Sequence, residues 1–293
     1  MLPHREGERV FVSVKQRILT VASRLLMRTI SIVGGNRATQ ISAYLAENLS
    51  PYVTQKTDHG QIVFFCPGKL PEWRARTLLT KEPETIEWIG TFKDDDVLWD
   101  IGANVGAYSL YAATLGHPVL SFEPSPSNYY LLSRNIEINR LDNKVSAYCI
   151  AFNDTTKLDV FFMANTELGG ALNSFGEATD WQGNPFTASL KQAMVGFGVD
   201  DFIEQFGPPF PNHIKLDVDG IEDKIVRGSR RTLADSRLKS VLIELHTERR
   251  QYYQEVTALF ERSGLRLQER KHVPESDEGE FSNVYNHIFV RPE

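Results

Sequence analysis

The sequence predicts an α/β domain built on a mostly parallel sheet, with an added N-terminal helical region. Two observations lead to this prediction: strand and helix patterns alternate from residue 97 onward, and glycine or polar turns separate them. Strands that are linked through helices run parallel, because each helix carries the chain back to the end of the sheet where the strand began. The alternation therefore indicates the α/β class.

Composition narrows the class of protein further. The chain has 293 residues, 41% of them hydrophobic and 24% charged, which is ordinary for a globular protein with a sizeable core. Its net charge of -6 excludes a basic footprint over the whole chain, so we expect no nucleic acid partner. The two cysteines, Cys66 and Cys149, are too few for a disulfide framework or a cysteine-rich zinc site, and they favour a cytoplasmic location.

The N-terminal segment has no acidic residue between Arg9 and Ala46. Its apolar residues fall at spacings of three and four, which predicts one helical face: Ile18, Val21, Ala22, Leu25, Leu26 and Ile30. Arginines interrupt every apolar run, so the helix is too charged to span a bilayer or to act as a secretory signal. We expect it to pack on its own domain, to mediate a homodimer or to contact an anionic membrane.

Two regions are predicted, an N-terminal appendage over residues 1–80 and a main domain over residues 81–293. In the appendage, QIVFFCPG (61–68) is predicted to be a strand that ends at its Pro-Gly pair. The main domain opens with KEPETIEWIGTF (81–92), where Pro83 marks a helix start and Glu84 suits the positive end of the helix dipole.

From residue 97 the pattern becomes regular. Strands are predicted over 97–102, 118–124, 145–152, 158–163, 213–220, 240–246 and 286–292. Helices are predicted over 106–116, 127–140, 221–236 and 248–264. The segment 164–198 is rich in Gly, Asn, Ser and Thr and has no sustained period. A loop of that length in a compact domain predicts a substrate lid or an insertion.

The turn after the first of these strands indicates a ligand site. It reads D-I-G-A-N-V-G, with Asp100 at its mouth and Asn104 where the dinucleotide fingerprint G-x-G-x-x-G has its second glycine. An acid at this place repels a pyrophosphate and suits a ligand that offers a cation or hydroxyls. The alternative is a purely structural role, in which Asp100 only caps the following helix.

Glu123 ends the next strand, about 20 residues after the loop, where a carboxylate can accept both hydroxyls of a ribose. The two acids together predict a site for a nucleoside that bears a positive charge. S-adenosylmethionine (SAM), an adenosine with a cationic sulfonium and an amino acid end, is such a ligand. Taken alone, Glu123 could also be a surface charge.

A second acidic stretch, IKLDVDG, places Asp217 and Asp219 at the end of a later strand. Its glycine is the fourth residue and not the sixth, as a calcium loop needs, so we do not expect a calcium sensor. The pair could hold Mg²⁺, face a sulfonium or act as a base; a divalent metal is not indicated. We expect one of the two in the site and favour Asp217. Glu244 and His246, at the end of strand 240–246, are further base candidates, although His246 could equally be structural.

Four motifs in this order resemble the FkbM family of SAM-dependent methyltransferases. They are RTLLTKEPETIEWIGTF, VLWDIGANVGAYSL, SFEPSPSNYYLLSRNIEIN and IKLDVDGIEDKIVRGS, and the resemblance covers roughly residues 75–246. It implies a class I methyltransferase (Rossmann-like) fold, whose seven-stranded sheet is parallel except for one strand near the C-terminus. The run NHIFVRP fits that antiparallel strand.

Residue by residue, the resemblance implies a complete cofactor site. It places at the methionine part of SAM the loop residues Asp100, Gly102, Ala103, Asn104 and Gly106. It places Glu123, followed by Pro124, at the ribose. It places near the adenine the residues Ala151, Phe152 and Asn153. Asp217 would lie beside the transferred methyl. The chain departs from the family pattern at Asp219, where Glu is common, and in the turn F-N-D after the third strand.

The implied activity is O-methylation of a hydroxyl on a sugar, glycan or polyketide-like metabolite, with Asp217, Asp219 and His246 as catalytic candidates. The partner would be a small-molecule or glycan acceptor. Two alternatives stay open: a nucleotide-dependent oxidoreductase, against which the missing G-x-G-x-x-G counts, and a non-catalytic module that attaches to a membrane or partner through the basic helix.

Overall fold

A computed structural model describes residues 14–272 and 282–292 of the chain. The chain divides into two compact units, one ending at Ser50 and the other beginning at Pro51. This boundary falls earlier than residue 80, where the sequence pattern changes. The hairpin and helix between the two positions belong to the second unit, because they contact its later elements.

The first unit consists of helix α1 (Val14–Val33) and helix α2 (Gly35–Asn48). α1 coincides with the helix that the apolar spacing predicts. Gly34 and Gly35 both have positive φ angles, 70° and 52°, so this Gly-Gly pair makes the turn between the helices. α2 is polar on average and was not predicted from the sequence. Ile30 of α1 is buried, whereas Ile18, Val21 and Leu25 are exposed.

The second unit begins with a hairpin of β1 (Tyr52–Thr57) and β2 (Gly60–Phe65), followed by α3 (Lys69–Arg76) and α4 (Pro83–Ile89). α4 starts at Pro83, as predicted. Side-chain amides of a later helix bind the hairpin: Asn139 accepts a 2.9 Å hydrogen bond from Val63 N–H, and Asn135 accepts one of 2.7 Å from Phe65 N–H.

The remaining elements follow in chain order. They are β3 (Leu98–Ile101), α5 (Ala107–Thr114), β4 (Val119–Phe122), α6 (Pro126–Asn139), β5 (Val145–Tyr148), β6 (Ala151–Phe152), β7 (Lys157–Met163), β8 (Ser174–Phe175), β9 (Leu190–Phe197), α7 (Val199–Phe206), β10 (His213–Leu216), α8 (Glu222–Arg227), α9 (Arg230–Ala234), β11 (Ser240–His246), α10 (Arg250–Arg262), β12 (Arg266–His272) and β13 (Val284–Val290).

The central sheet has seven strands in the order β12-β13-β11-β10-β3-β4-β5. Only β13 runs against its neighbours in this sheet. The predicted fold, a seven-stranded and mostly parallel sheet with one antiparallel strand near the C-terminus, is confirmed. From β3 the chain winds outward through β4 and β5, and it then returns to β10 on the other side of β3. The carboxyl ends of β3 and β10 are therefore the switch point, where open α/β sheets bind ligands.

Several details differ from the sequence-based expectations. The predicted strand 145–152 is interrupted, and its second part joins β7, β8 and β9 in a separate four-stranded sheet. β9 lies in the segment expected to be irregular, and it pairs antiparallel with β7. The helix predicted over 221–236 is two short helices, α8 and α9. The exposed edge strand β12, RLQERKH, was missed because it carries almost no apolar residues.

Two apolar clusters form the core. Trp99, Ile101 and Phe122 belong to one cluster, whereas Leu98 and Val119 belong to the other. Neighbouring residues of a strand face opposite sides of the sheet, so this division follows from the alternation of side chains. The two clusters hold the short strands β3, β4 and β10 in place, and thereby fix the positions of the loops that follow them.

Candidate functional site

The switch point brings two chain segments into contact. β3 and β10 are parallel neighbours, and the N–H of Asp217 donates a 3.1 Å hydrogen bond to the carbonyl of Ile101. Gly102 follows with a φ of 89°, and a Cβ atom at this position would lie 1.9 Å from the carbonyl oxygen of Asp217. Only glycine allows the loop after β3 to pass this close to the DVDG segment.

A cleft of about 580 Å³ opens beside these loops. Much of its wall is apolar, and it is formed in part by Phe122, Ile150, Ala151, Phe152, Phe161, Phe175, Ile221 and Ile225. Its polar wall contains Asn104, Glu123, Asp217 and Asp219. An apolar slot with a few converging polar groups is the usual form of a small-molecule site.

Glu123 is the buried acid of this cleft. Its two carboxylate oxygens accept 2.8 Å hydrogen bonds from the backbone N–H groups of Asn104 and Ser125. Burial raises the pKa of Glu123 to about 7, against the lowering effect of these N–H groups. The Asn128 side chain also interacts with this carboxylate and lowers its pKa. A carboxylate has about four acceptor sites, so acceptor capacity for a ligand remains beside these three donors. The residue fits a pair of ribose hydroxyls.

A second cavity, of about 440 Å³, shares Gly102, Asn104 and Asp217 with the cleft, so the two adjoin around the glycine loop. This cavity is lined by charged groups: Arg74, Lys81, Glu82, Asp100, Lys215 and Asp217. The site therefore has an apolar half and an ionic half.

Lys215 and Asp217 form the central ion pair of the second cavity. Lys215 is almost fully buried, its Nζ atom donates to Oδ2 of Asp217 at 2.8 Å, and it lies 5.0 Å from the centre of the Tyr108 ring. Burial alone would raise the pKa of Asp217, but Lys215 and Lys81 outweigh it and hold the pKa at about 2. Asp217 is therefore a fixed negative charge.

Asp100 and Arg74 have spare binding capacity in the same cavity. Asp100 accepts a hydrogen bond from Ser109 on Oδ2, while its buried Oδ1 has no hydrogen-bond partner in the described part of the chain. Arg74 donates through Nε to the carbonyl of Gly169 at 2.8 Å. No carboxylate of residues 14–272 or 282–292 forms a salt bridge with Arg74.

Asp219 borders the first cleft together with Asp217. Both face the site because the chain turns sharply here, with a φ of 64° at Asp219 and 115° at Gly220. Oδ2 of Asp219 accepts a 2.7 Å hydrogen bond from Leu172 N–H. Burial and the charge of Asp217 raise the pKa of Asp219 to about 6. The two acids thus differ in protonation behaviour, although they are separated by one residue.

Residues 164–189 cover part of the site. Gly170 contributes to the wall of the cleft, and its carbonyl accepts hydrogen bonds from the side-chain amides of Asn104 and Asn128, at 3.0 and 2.9 Å. Further along, Trp181 stacks on His246 with 4.9 Å between ring centres. One guanidinium nitrogen of Arg249 donates to the carbonyls of Trp181 and Gly220, at 3.0 Å each. The segment is thus attached to both acidic loops.

His246 lies buried beneath Trp181. Neither ring nitrogen has a hydrogen-bond partner among the residues that the structure describes. Burial, helped by the charge of Arg249, lowers the pKa of His246 to about 4, so the ring is neutral near pH 7.

Glu244, two residues earlier, lies near Asp217 and Lys81. Burial, and then the charge of Asp217, raises its pKa well above the usual range.

Most of the sequence-predicted site residues come together. The cleft contains Gly102, Asn104, Glu123, Pro124, Ala151, Phe152, Asp217 and Asp219, and the second cavity contains Asp100 and Ala103. Three predicted residues line neither cavity. Gly106 directly precedes α5, with a φ of 86°, and packs against Leu132. Asn153 is buried beside Gly228, and His246 is under Trp181.

Sequence reasoning missed most of the ionic half of the site. Arg74 precedes the four motifs, and Lys81 and Glu82 lie in the first of them, but nothing in their spacing links them to the glycine loop. Lys215 could have been found, because a lysine inside the otherwise apolar strand end I-K-L must have a buried partner. Within residues 14–272 and 282–292, no cluster of three or more His, Cys, Asp or Glu side chains is arranged to hold a metal ion.

The parallel sheet, its switch-point cleft and the carboxylate at the end of β4 define a nucleoside-binding α/β domain. A model of the methyltransferase FkbM domain matches residues 100–267, more than half of the chain. The chain therefore belongs to the FkbM methyltransferase family. This membership confirms the family that the four motifs predict, and it agrees with SAM as the predicted cofactor.

Two curated relatives are similar to part of the chain. The hexuronic acid methyltransferase AglP of Haloferax volcanii is 24% identical over 182 residues, which cover 59% of this chain and 66% of that protein. Methyltransferase 1 of Beauveria bassiana is 26% identical over 154 residues, which cover 48% of this chain and 61% of that protein. The chain thus spans slightly less than two thirds of the length of each. Among solved structures, a precorrin-6y C5,15-methyltransferase from Geobacter metallireducens aligns with a TM-score of 0.42 and 14% identity, over 72% of this chain and 87% of that one.

Proposed function

We propose that the chain transfers a methyl group from SAM to a hydroxyl of a sugar, a glycan or a polyketide-like metabolite. The observation that carries this proposal is the position of Glu123: a buried carboxylate with free acceptor sites, at the junction of an apolar cleft and the glycine loop. A ligand with an aromatic base, two neighbouring hydroxyls and a charged end matches the two adjoining cavities.

The walls support a particular orientation of SAM. The apolar cleft around Ala151, Phe152 and Ile225 would hold the adenine, and Glu123 would accept from the ribose hydroxyls. The amino acid end would then enter the ionic cavity. There Oδ1 of Asp100 is available for the ammonium group, and Arg74 is available for the carboxylate. A cavity that offers a carboxylate oxygen without a hydrogen-bond partner and a guanidinium without a salt bridge is complementary to a zwitterion.

Bound in this way, SAM supplies an electrophilic methyl group on a positively charged sulfur. Asp217 borders both cavities, and its charge would stabilise the cation before transfer. Lys215 donates to Oδ2 of the Asp217 carboxylate at 2.8 Å, so the carboxylate is oriented and remains ionised. Methyl transfer requires alignment of acceptor oxygen, carbon and sulfur, so rigid positioning is the main task of these residues.

We propose Asp219 as the group that takes the proton from the acceptor hydroxyl. Its pKa of about 6 is closer to neutral pH than the value of about 2 for Asp217, so it is the stronger base of the two. One of its oxygens accepts from Leu172 N–H, and the other is available. His246 is the second candidate, because its ring is neutral and both nitrogens lack partners in the described structure.

The acceptor would approach beneath residues 164–189, which we propose as a lid. Trp181 of this segment is buried against His246, and Phe186 is half-buried. Opening of the lid would present these aromatic rings to a sugar. The name of the archaeal relative, a hexuronic acid methyltransferase, supports a sugar as the acceptor. Closure of such a segment excludes water from the reacting groups.

Isothermal calorimetry with S-adenosylhomocysteine (SAH), the demethylated product, tests this assignment. We expect the protein to bind SAH in the micromolar range and NAD at least about a hundredfold more weakly, because Asp100 repels a pyrophosphate. Tight binding of NAD without binding of SAH would overturn the proposal in favour of an oxidoreductase. Binding of SAH with no transfer to any acceptor in a broad extract would instead favour a non-catalytic module.

A further inference from the structure

The helices α1 and α2 carry an unusual amount of exposed apolar surface. More than half of the large apolar side chains that are exposed in the described part of the chain lie between residues 18 and 49. They are Ile18, Leu19, Val21, Leu25, Leu26, Met27, Ile32, Val33, Ile41, Tyr44 and Leu49. Single exposed apolar residues are ordinary, but a concentration like this marks an interaction surface.

Four of these residues form an apolar stripe along α1, which Arg28 and Thr29 interrupt between Leu25 and Ile32. Ile18, Val21, Leu25 and Ile32 follow one another at spacings of three, four and seven, so they lie on one face of the helix. Leu25 is 58% exposed and Ile32 is 83% exposed. α2 does not cover this stripe, although α1 and α2 contact each other and Ile30 is buried.

The charge around the stripe identifies the kind of partner. Between residues 10 and 46 the chain has five basic residues and no acidic one, although the whole chain has a net charge of -6. Arg24, Arg28 and Arg37 are all exposed. A second copy of the same helix pair would bring these cations together, which costs energy. An anionic surface is complementary to them.

The helix cannot cross a bilayer. No helix in the described residues is both long enough and apolar enough to do so. A helix with an apolar face, arginines along its side and no acids is instead suited to lie in the plane of a membrane surface, with its apolar face among the acyl chains. Arginine guanidinium groups at that depth meet the phosphates of the lipids.

We propose that α1 docks this protein onto membranes that carry anionic lipids. The stripe of Ile18, Val21, Leu25 and Ile32 enters the boundary of headgroups and acyl chains, and Arg24 and Arg28 bind the lipid phosphates. This attachment is a further binding activity of the chain and does not depend on methyl transfer.

Co-sedimentation of the full-length protein with vesicles tests the charge requirement. We expect binding to vesicles of phosphatidylcholine and phosphatidylglycerol to be at least about tenfold tighter than to phosphatidylcholine alone. The double variant Arg24→Glu/Arg28→Glu should lose about tenfold or more of the binding to anionic vesicles. The matched control Arg230→Glu/Arg262→Glu makes the same change in net charge at exposed positions of the second unit, and it should bind like the wild type.

A second pair of variants tests the apolar stripe. Leu25→Ser/Ile32→Ser should weaken binding about tenfold, whereas Leu158→Ser/Leu267→Ser, which removes two exposed leucines elsewhere, should not. The proposal is overturned if the two vesicle types bind the wild type equally. It is also overturned if each control variant loses as much vesicle binding as the α1 variant that it is matched to. A third outcome also overturns it: the wild type does not bind vesicles, and sedimentation velocity shows a stable dimer. In that case the Leu25→Ser/Ile32→Ser variant should be a monomer.

Discussion

The backbone N–H of Asn104 donates a 2.8 Å hydrogen bond to Oε2 of Glu123. This contact ties the loop after β3 to the end of β4, so the group proposed to hold the ribose also orders the loop proposed to border the methionine. Replacement of Glu123 by Ala should weaken SAH binding by about a hundredfold, since hydrogen bonds to a charged group are lost. Calorimetry measures the change, and Asp142→Ala, which removes an exposed carboxylate, should alter the affinity less than twofold.

Two ligands distinguish the loss of the ribose contact from a disordering of the loop in the Glu123→Ala variant. Adenosine has the two hydroxyls that Glu123 would bind, and 2′,3′-dideoxyadenosine lacks them. Glu123→Ala should weaken adenosine binding and leave dideoxyadenosine binding nearly unchanged. Equal losses for both ligands would show that Glu123 supports the loop and does not bind the ribose.

The affinity for SAH should rise with pH between 6 and 8. The pKa of Glu123 is raised to about 7, and the ionised form is the better acceptor of two ribose hydroxyls. If only that form binds well, the affinity increases about tenfold over this range. Glu123→Gln should flatten the profile, and a wild-type affinity that falls with pH would contradict the assignment. The stability of the free protein should move the other way, because the raised pKa of Glu123 makes its ionisation unfavourable in the folded state. This group should lower the stability as the pH rises from 4.5 to about 7 and should have no further effect above that.

Gly102→Ala should be strongly destabilising. The added Cβ would lie 1.9 Å from the carbonyl oxygen of Asp217, and the φ of 89° disfavours any side chain. Gly183→Ala is the matched control, because Gly183 has a φ of 86° and no atom within 4 Å. We expect the control to lose about 1 kcal/mol of unfolding free energy, and Gly102→Ala to lose about 2 to 3 kcal/mol more. Urea denaturation measures both, and equal losses would mean that the two loops do not touch.

Asp217→Asn should reduce stability by about 3 kcal/mol, because the buried Lys215 loses the carboxylate that it hydrogen-bonds, which outweighs Glu82 and Asp100 among the charges that offset its burial. The double variant Lys215→Met/Asp217→Asn removes both charges and should recover most of that loss. Methyl transfer should stay impaired in both variants, since neither has the negative charge beside the proposed sulfonium position. Recovery of activity together with stability would show that Asp217 has a purely structural role.

Asp219→Asn should separate chemistry from cofactor binding. As the proposed base, Asp219 is expected to contribute about a hundredfold to kcat, whereas SAH affinity should change less than threefold. A parallel His246→Gln variant shows whether the histidine shares this task. If Asp219→Asn retains full kcat and His246→Gln loses it, the histidine takes the proton.

The sequence could predict the fold because the buried strands have a clear sequence pattern. Leu98–Ile101, Val119–Phe122 and Ser240–His246 are apolar runs between turn residues, and the alternation of strands with helices sets their order. Strand β12 could not be predicted, because an exposed edge strand has no apolar pattern. β9 could not be predicted either, because the segment 164–198 around it has many glycines and polar residues. Its strand conformation depends on pairing with β7.

For the site, the sequence could predict those residues that follow a strand directly. Asp100, Glu123 and Asp217 all lie at the carboxyl ends of central strands, where the topology must bring them together. Arg74 and Lys81 reach the ionic cavity from before the central sheet, and this proximity depends on tertiary packing that no local pattern encodes. The cover of Trp181 on His246 likewise arises from a long segment without a regular period.

The most direct test of the proposed function is mass spectrometry of acceptors after incubation with SAM that carries a deuterated methyl group. We predict a product in which the labelled methyl group is bound to a hydroxyl oxygen of a sugar or related metabolite. The Glu123→Ala variant should not form this product. Label found on carbon or nitrogen, or no labelled product while SAH still binds, would contradict the account.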